Sequence, residues 1–477
     1  MLYSLSELQK VWSNYDFRIT TNSFDEFSAV SIDSRTIGNG DIFFAITGET
    51  HDGHNFIKNA INSGAKCIVC EHATDEILTF IEHRNDVSLI VTPNSLQALT
   101  ELAIFNRARL KAKVIGVTGN IGKTTIKEML KYTLSYFFDV HASPSSYNNH
   151  IGLPLTLANA PVETEILVLE MGMSKLGEIE YLSKIGKPDI SIITTIAPAH
   201  IAFFESVEEI CQAKAEIFKG MPPNGIAILN KENAYYNILH DYAIKEGIKN
   251  IFTIGTQDSH MYVSDCNCDK LYRTYYNVCI KGREGAVEKI KSETDGVSYH
   301  NAFNTLFAFA IARLFKLDLN EFAARVAKFT LVKGRGLAAR VCYDKKYVTV
   351  IDDSYNASPE SVKVAIKSLA NFVKISDGKR AVAIIGDMRE LGSKTEQYHN
   401  EVLQEILNNK VDVVYTVGEC MKLVHDGLPE GFEKKHFQST QDIRKVIRGL
   451  LQDKDVVLFK ASRNMKFEHI IDKLYNE

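Results

Sequence analysis

Several features that mark common protein classes are missing from this chain of 477 residues. No apolar run approaches the roughly 18–20 residues that a membrane-spanning helix needs. The first residues carry neither a basic flank nor an apolar signal core. The formal net charge is −4, which gives no electrostatic reason to expect a nucleic-acid partner. We therefore expect a cytoplasmic globular protein that neither inserts into membranes nor binds nucleic acid, and its length suggests about three domains.

Cysteine is present, but not in a metal-binding pattern. Among the eight cysteines, Cys67 and Cys70 have the spacing of half a zinc site. The residues between them are apolar, which is typical of a buried strand, and no second pair with this spacing completes four ligands. Cys266 and Cys268 are too close together for a zinc knuckle. We interpret the cysteines as structural thiols, as expected in a reducing compartment.

The most informative stretch of the sequence is a phosphate-loop pattern. Residues 116–124 fit G-x-x-x-x-G-K-[ST], after an apolar strand-like run and before a helical one. In such a loop, glycines let backbone N–H groups face phosphate oxygens, the lysine reaches the β- and γ-phosphates, and the threonine hydroxyl holds Mg²⁺. The sequence therefore predicts binding of a nucleoside triphosphate. The residues predicted to bind it here are Gly116, Thr118, Gly119, Asn120, Ile121, Gly122, Lys123, Thr124 and Thr125.

Short apolar runs that alternate with helical patterns predict an α/β fold. Three such runs follow the phosphate loop, at residues 166–170, 190–196 and 225–230, as in a doubly wound parallel sheet. Residues 250–295 alternate aromatic, β-branched and polar side chains, which predicts an antiparallel insertion. From about Lys333 the alternation of strands and helices resumes, which indicates a second Rossmann-like domain. The expected domains are residues 1–95 (small α/β), 96–330 (central, with the phosphate loop) and 331–477 (Rossmann-like).

Three candidate residues lie near the predicted carboxyl edge of the central sheet, where ligands of parallel sheets bind. Glu170 ends one predicted strand, and its carboxylate would suit Mg²⁺ or a metal-bound water, although a solvated glutamate is the alternative. His200 follows the next strand, and a lone histidine is more often structural. Lys214 lies on an amphipathic helix, where spacing alone favours a surface ion pair.

Two further segments carry groups that suit a nucleotide. Asn301 and Asn304 lie three residues apart on one helix face, where their amides could bind a base edge or cap the helix. Residues 352–359 follow a strand and precede a helix, which places them at the carboxyl edge of the third domain's sheet.

Strings of residues along nearly the whole chain resemble the Mur ligases, the ATP-dependent amide-forming enzymes of peptidoglycan synthesis. Many families share the phosphate loop, but the strings at 147–157 and 352–359 are more specific. These two strings resemble the members that add D-alanyl-D-alanine to a UDP-N-acetylmuramoyl-tripeptide. The other matching strings begin at Ser31, Gly40, Asp52, Glu170, Ala199, Lys214, His300, Gly334, Gly386 and Lys460.

The resemblance implies a ligase that works through an acyl phosphate, with one domain for the UDP-sugar, one for ATP and one that closes over both and receives the dipeptide. It implies two Mg²⁺ sites and a lysine modified by CO₂ to a carbamate. The implied catalytic residues are Lys123, Glu170, His200, Lys214 and Arg335. The implied metal ligands are Thr124, Glu170, His200 and Lys214, with Lys214 as the carbamate.

The resemblance also implies binding residues for both substrates. Those near the nucleotide are Asn301, Asn304, Arg335, Asp352, Tyr355 and Asn356. Those near the UDP end of the other substrate are Ser34, Arg35 and His54, and those near its muramoyl-peptide are Asn148 and Asn149. A monomer suffices for this chemistry.

Two departures from the family pattern affect the expected site only mildly. Asn120 and Ile121 replace the small or hydroxylated residues that the phosphate loop more often has, and Ser358 replaces an asparagine. The alternatives are a sister ligase that adds one amino acid, an enzyme similar to folylpolyglutamate synthase, and a regulatory NTPase. A lipid II amidation ligase is disfavoured because four zinc-binding cysteines are missing from the sequence.

Overall fold

The computed structural model describes residues 2–18, 25–48, 50–84, 86–199, 201–282 and 285–475. Its strands form three large sheets that follow one another along the chain, each flanked by helices, so the predicted α/β fold is confirmed. None of the described helices is both long enough and apolar enough to span a bilayer.

The first sheet is built from short strands near the N-terminus. Its chain segment contains β1 (Tyr3–Ser4), β2 (Asp16–Arg18), β3 (Glu26–Phe27), β4 (Val30–Ser31), β5 (Ile42–Phe44), β6 (Cys67–Cys70) and β7 (Ser88–Val91). The helices are α1 (Leu5–Val11), α2 (Ile57–Ser63), α3 (Asp75–Arg84) and α4 (Ser95–Arg109). The strand order is β2-β7-β6-β5-β4, with β2 antiparallel, and β1 pairs with β3. All four residues of β6 are buried, as predicted for the segment with Cys67 and Cys70.

The second sheet has nine strands and contains the phosphate loop. The strands are β8 (Lys113–Thr118), β9 (Val140–Ala142), β10 (Ile166–Glu170), β11 (Ile190–Ile193), β12 (Ile226–Asn230), β13 (Asn250–Gly255), β14 (Met261–Cys268), β15 (Arg273–Lys281) and β16 (Val287–Asp295). The helices are α5 (Lys123–Leu134), α6 (Gly152–Ala158), α7 (Glu178–Gly186), α8 (Val207–Ala215), α9 (Tyr236–Lys245), α10 (Tyr299–Leu314) and α11 (Leu319–Val326). The order is β16-β15-β14-β13-β12-β11-β8-β10-β9.

The pairing in the second sheet explains where a ligand can bind. Strands β9 to β14 pair in parallel, and β8 lies between β10 on one side and β11 on the other. The chain therefore reverses its direction of winding at β8, and the crevice at such a switch point is where ligands bind in open α/β sheets. The phosphate loop, Glu170 and the segment after β11 all leave the sheet at this edge.

The third sheet is smaller and again mostly parallel. Its strands are β17 (Leu337–Tyr343), β18 (Lys346–Asp352), β19 (Arg380–Gly386), β20 (Val413–Val417), β21 (Glu433–Phe437) and β22 (Asp455–Lys460). Its helices are α12 (Pro359–Ile375), α13 (Thr395–Asn408), α14 (Lys422–Gly427), α15 (Thr440–Leu450) and α16 (Glu468–Tyr475). The order is β17-β18-β22-β19-β20-β21, in which only β17 pairs antiparallel.

Some predicted elements differ in extent from the observed ones. The antiparallel strands expected within 250–295 are present, but they extend the central sheet through β14 rather than standing apart from it. The predicted amphipathic helix that carries Lys214 ends at Ala215, where a 3₁₀ turn, Glu216–Gly220, follows it. Local sequence pattern predicted the element types correctly, whereas tertiary packing determined their ends.

Candidate active site

The phosphate loop owes its shape to two glycines and to the strand beside it. Gly119 and Gly122 have φ values of 132° and 90°, in the region that favours glycine. A Cβ at Gly119 would lie 2.0 Å from the Thr194 hydroxyl oxygen, so no other residue fits there. The Thr194 hydroxyl donates to the carbonyl of Ile121 at 2.6 Å. The segment after β11 therefore holds the loop open at the start of α5.

Two residues predicted at the nucleotide have structural roles instead of facing it directly. Gly116 lies within β8, and a Cβ there would come within about 3.2 Å of Pro188 and Ile217. The Thr118 hydroxyl donates to the carbonyl of Met171 at 2.8 Å, which ties the ends of β8 and β10 together. Both residues thus hold strand β8, from which the phosphate loop leaves the sheet, in place.

Asn120, one of the departures from the family pattern, connects the loop to the segment after β11. Its backbone N–H donates to the carbonyl of Thr195 at 2.8 Å, and its side-chain oxygen accepts from the N–H of Ala197 at 3.2 Å. Its amide nitrogen is buried and has no partner among the described residues. Asn120 therefore ties the phosphate loop to the segment after β11 through its backbone N–H and its side-chain oxygen.

Lys123 stands at the N-terminus of α5 with its ammonium folded over the loop. Its Nζ donates to the carbonyl of Gly119 at 2.8 Å, so it spans the space that a phosphate chain would occupy. Burial lowers the pKa of Lys123, the carboxylate of Glu170 partly offsets this effect, and Arg335 adds to it. A bound anion would relieve the cost of keeping this lysine charged.

Glu170 is the buried carboxylate of the site, with only 1% of its surface exposed. Its Oε1 accepts from the Asn148 amide at 2.8 Å and from the Thr124 hydroxyl at 3.4 Å. Its Oε2 is buried and has no partner among the described residues. An unpaired carboxylate oxygen beside a threonine hydroxyl has the hard-oxygen chemistry that Mg²⁺ requires. The two residues therefore fit the predicted metal site.

Lys214 is buried at the same site, contrary to what its helical spacing suggests. Only 2% of its surface is exposed. Burial, followed by the charge of Lys123, holds the pKa of Lys214 well below its usual range. The uncharged amine, which is the nucleophilic form, is thereby favoured. His200, the other predicted metal ligand of this edge, lies outside the described residues.

Arg335 brings the third part of the chain to the phosphate loop. Its guanidinium donates to the Thr124 hydroxyl at 3.4 Å and lies 3.9 Å from the centre of the Tyr355 ring. The Tyr355 hydroxyl is 2.8 Å from that of Ser146, which belongs to the central part. Arg335 and Tyr355 thus contact the central domain through two separate bonds, and Tyr355 serves as the platform for the arginine.

A cavity of about 440 Å³ lies between the central and third parts of the chain. Its walls include Thr125, Asn301 and Asn304 from the central part, and Arg335 and Asn356 from the third. A cavity with apolar walls, converging amides and a neighbouring phosphate loop suits a nucleoside. The nucleotide residues predicted outside the phosphate loop are therefore brought together, in the cavity wall or, for Tyr355, against Arg335, with one exception.

The exception is Asp352, whose carboxylate points away from the cavity into the loop. It accepts from the N–H of Gly334 at 3.0 Å and from the Ser354 hydroxyl at 2.5 Å. The next residue, Asp353, lines the cavity and pairs with the buried Lys460 at 2.6 Å. Lys460 begins one of the family strings but is absent from the predicted site residues, although its place at the end of β22 points to the ligand-binding edge.

The residues predicted at the UDP end lie at the carboxyl edge of the first sheet. Arg35 follows β4 and pairs with Asp33 at 2.6 Å, and Ser34 lies half-buried between them. His54 accepts the N–H of Glu71 at Nε2, at 3.0 Å, so its Nδ1–H must donate to Asp52 at 2.6 Å. This histidine is therefore held as one neutral tautomer.

The two asparagines predicted at the muramoyl-peptide have different surroundings. Asn148 reaches Glu170, as described above. The side-chain oxygen of Asn149 accepts from the N–H groups of Ile151 and Gly152, at 3.2 and 2.9 Å, and so caps the start of α6. Only Asn148 contacts a group of the site.

A groove of about 1770 Å³ follows the carboxyl edge of the third sheet, and a smaller cavity separates it from the nucleotide cavity. Asp387 lies at its base and accepts from the N–H of Met421 at 2.8 Å. Basic side chains exceed acidic ones along its walls. The basic residues are Arg389, Lys422, Arg444, Lys445, Lys466 and Lys473. Such a groove favours a ligand with a carboxylate.

Comparison with protein-family models divides the chain into three matches. Residues 26–107 match the Mur ligase family, catalytic domain. Residues 117–312 match the Mur ligase middle domain, and residues 340–463 match the Mur ligase, glutamate ligase domain. These stretches correspond to the three sheets described above.

Curated relatives and solved structures agree with these models. The UDP-N-acetylmuramoyl-tripeptide–D-alanyl-D-alanine ligase of Rickettsia prowazekii is 33% identical, over 93% of this chain and 94% of its own. The same enzyme of Bacillus subtilis is 32% identical, over 93% of this chain and 92% of its own. MurF from Acinetobacter baumannii superimposes with a TM-score of 0.83, 25% identity and coverage of 99% and 98%. MurF ligase from Thermotoga maritima in complex with ADP superimposes with a TM-score of 0.76 and is 26% identical, with 94% of this chain and 96% of its own covered. With its phosphate loop, buried carboxylate and shared cavity in matching order, the chain belongs to the Mur ligase family.

Proposed function

We propose that the chain is an ATP-dependent ligase that joins D-alanyl-D-alanine to a UDP-N-acetylmuramoyl-tripeptide in the synthesis of peptidoglycan precursors. The observation that carries this proposal is the contact of Arg335 with Thr124, which brings two parts of the chain to one phosphate site. The names of the curated relatives support the choice of substrates.

The first step must make a carboxylate reactive, since at neutral pH a carboxylate resists attack by an amine. The γ-phosphoryl group of ATP passes to the terminal carboxylate of the tripeptide. The bond from phosphorus to the ADP oxygen breaks and a bond to the carboxylate oxygen forms, giving an acyl phosphate and ADP. Lys123 and Arg335 neutralise charge on the moving group, which is the main catalytic requirement in phosphoryl transfer.

The second step forms the amide bond. The neutral amine of D-alanyl-D-alanine attacks the acyl carbon, a C–N bond forms, and the C–O bond to phosphate breaks in the tetrahedral intermediate. Phosphate leaves with the electron pair, and the amine gives its proton to solvent. We place the dipeptide in the basic groove of the third domain, where Arg389 lies in both the groove and the cavity that leads to the nucleotide.

Mg²⁺ fits Thr124 and Glu170, because the buried Oε2 of Glu170 has no other partner among the described residues. When bound, the ion would neutralise phosphate charge. His200 and a carbamate on Lys214 complete the proposed set for two ions. The burial of Lys214 supports the carbamate, since only an uncharged amine adds to CO₂ and the low pKa favours that form.

The remaining assignments follow from the same proposal. Ser34, Arg35 and His54 would face the UDP end of the substrate, and Asn148 its peptide. We propose domain borders after residues 95 and 330. The enzyme acts as a monomer in the cytoplasm, where ATP and UDP-activated sugars are available, since one chain supplies every group of the proposed site.

The test is the release of ADP, measured with ATP and Mg²⁺ while the tripeptide substrate and D-alanyl-D-alanine are each omitted in turn. We expect sustained ADP release only when both are present. A sister ligase or an enzyme similar to folylpolyglutamate synthase would accept a single amino acid in place of the dipeptide. A regulatory NTPase would release ADP without either substrate, and that result would refute the proposal.

A further inference from the structure

Lys127 is a fully buried lysine that the mechanism above does not use. It lies one helical turn after Lys123 on α5, with 0% of its surface exposed. A lysine is almost never fully buried unless it is paired. Its Nζ donates to the carbonyl of Ser143 at 2.7 Å and to that of Ser145, and it pairs with Glu128 at 2.6 Å. Two backbone acceptors and one carboxylate therefore surround the buried ammonium.

The two carbonyls belong to residues 143–149, within the connection between β9 and α6, and we name these residues the bridging segment. Ser145 within it has a φ of 48°, a conformation unfavourable for a residue other than glycine. The segment must therefore be held by contacts outside itself. Lys127 provides two of them, directly from the helix that begins at the phosphate loop.

The bridging segment contacts the active site at three places. The Ser143 hydroxyl accepts from the N–H of Glu170 at 3.3 Å. The Asn148 amide donates to the Glu170 carboxylate at 2.8 Å. The Ser146 hydroxyl meets that of Tyr355, the platform of Arg335, at 2.8 Å. The segment thus connects α5 to the buried carboxylate and to the third domain.

From these contacts we propose that Lys127 is a positioning residue: its ammonium holds the bridging segment so that Asn148 and Ser146 reach Glu170 and Tyr355. This inference rests on the proposed function, since it concerns how that site is kept in order. A lysine that only stabilised the fold would affect unfolding and leave the kinetics of the folded enzyme unchanged.

The experiment compares Lys127→Met with Lys131→Met, a control on the exposed side of the same helix. The assay measures kcat and the KM values for ATP and the tripeptide substrate, with thermal unfolding alongside. We expect kcat of Lys127→Met to fall about 100-fold, as for a misplacement of about 1 Å. The KM for ATP should stay within about threefold, because the contacts of the phosphate loop do not include Lys127. Lys131→Met should match the wild type.

A mutant cycle with the pair Ser146→Ala and Asn148→Ala tests the proposed route. If Lys127 acts through these two residues, adding Lys127→Met to the pair should slow it by no more than about twofold, since coupled residues are not additive. Additive losses, or a folded Lys127→Met with kcat within threefold of wild type, would overturn the inference.

A variant with milder effects covers the case in which Lys127→Met does not fold. Lys127→Gln keeps a hydrogen-bond donor and is measured in the same cycle. A loss of kcat that is not additive supports the inference, and additive losses or a kcat within threefold of wild type overturn it. Should wild type and Lys131→Met release ADP without both substrates, the proposed function has failed. Should they require both while the Lys127 variants behave as wild type, only the positioning role has failed.

Discussion

Arg335 offers the sharpest test of how the two domains share the chemistry. The change is Arg335→Met, which keeps an apolar chain over the Tyr355 ring and removes the guanidinium. In the structure this group is half-buried, 3.4 Å from the Thr124 hydroxyl and 3.9 Å from the ring centre. It reaches the phosphate site from the loop before β17, so the third domain supplies this cation to the central one.

The expected magnitude follows from this geometry. An arginine that stabilises a transferring phosphoryl group contributes about 10³–10⁵ in kcat. Because the contact with Thr124 is long, we take the lower end, about 10³, or roughly 4 kcal/mol of transition-state stabilisation. The lost cation–π contact is worth about 0.5–2 kcal/mol of stability. The desolvation that burial imposes on the cation also disappears, and this offsets part of that loss, so Tm should change little.

The assay is ADP release under saturating substrates, with ADP affinity measured by titration calorimetry. We expect kcat to fall about 1,000-fold while ADP affinity changes little, since ADP lacks the γ-phosphate that the arginine serves. Arg340→Met is the matched control, because Arg340 stacks 4.6 Å from the Tyr347 ring and is exposed on β17. A kcat for Arg335→Met within tenfold of wild type would refute the assigned role.

Three further predictions concern single residues of the site. Lys123→Ala should abolish ADP formation, because no other described lysine spans the phosphate loop, and near-normal turnover would contradict this. Lys214→Ala should lose activity that small carboxylic acids partly restore, because they can stand in for the carbamate; full activity without them would argue against a modified lysine. Asn149→Ala should cost about 1 kcal/mol in urea unfolding, as the loss of a helix cap. Its KM for the tripeptide should be unchanged, and a large rise would show that Asn149 binds substrate rather than only capping α6.

Much of the fold and part of the site could be predicted from the sequence because both depend on local patterns. The apolar runs of the central sheet are buried on both faces, and their polar last residues mark the ligand-binding edge. Glu170 was found in this way, since it ends β10. The phosphate loop is a continuous string, so its backbone geometry follows from the spacing of its glycines and lysine.

The other site assignments could not be predicted from sequence because they depend on the direction and burial of single side chains. Two residues next to each other in the sequence can differ in both. Asp352 and Asp353 are adjacent, yet one carboxylate bonds the loop and the other lines the cavity. Likewise, Asn148 donates to the Glu170 carboxylate, whereas its neighbour Asn149 caps helix α6. Lys214 has the sequence pattern of a surface lysine and is buried because other elements cover its helix. Such distinctions arise from long-range packing.

The charges of the site explain why a triphosphate is the ligand it suits. Lys123 and Arg335 converge on a region where Glu170 is a buried carboxylate, and burial lowers the pKa of both cations. Each is thus kept partly desolvated, at a cost in stability that the nearby carboxylates only partly offset. A chain of phosphates supplies the missing negative charge, and Mg²⁺ at Thr124 and Glu170 would prevent an excess of it. Desolvation of these cations therefore destabilises the empty site, and nucleotide binding offsets that destabilisation. We expect the largest stabilisation in the transition state of phosphoryl transfer, because negative charge then moves toward Arg335.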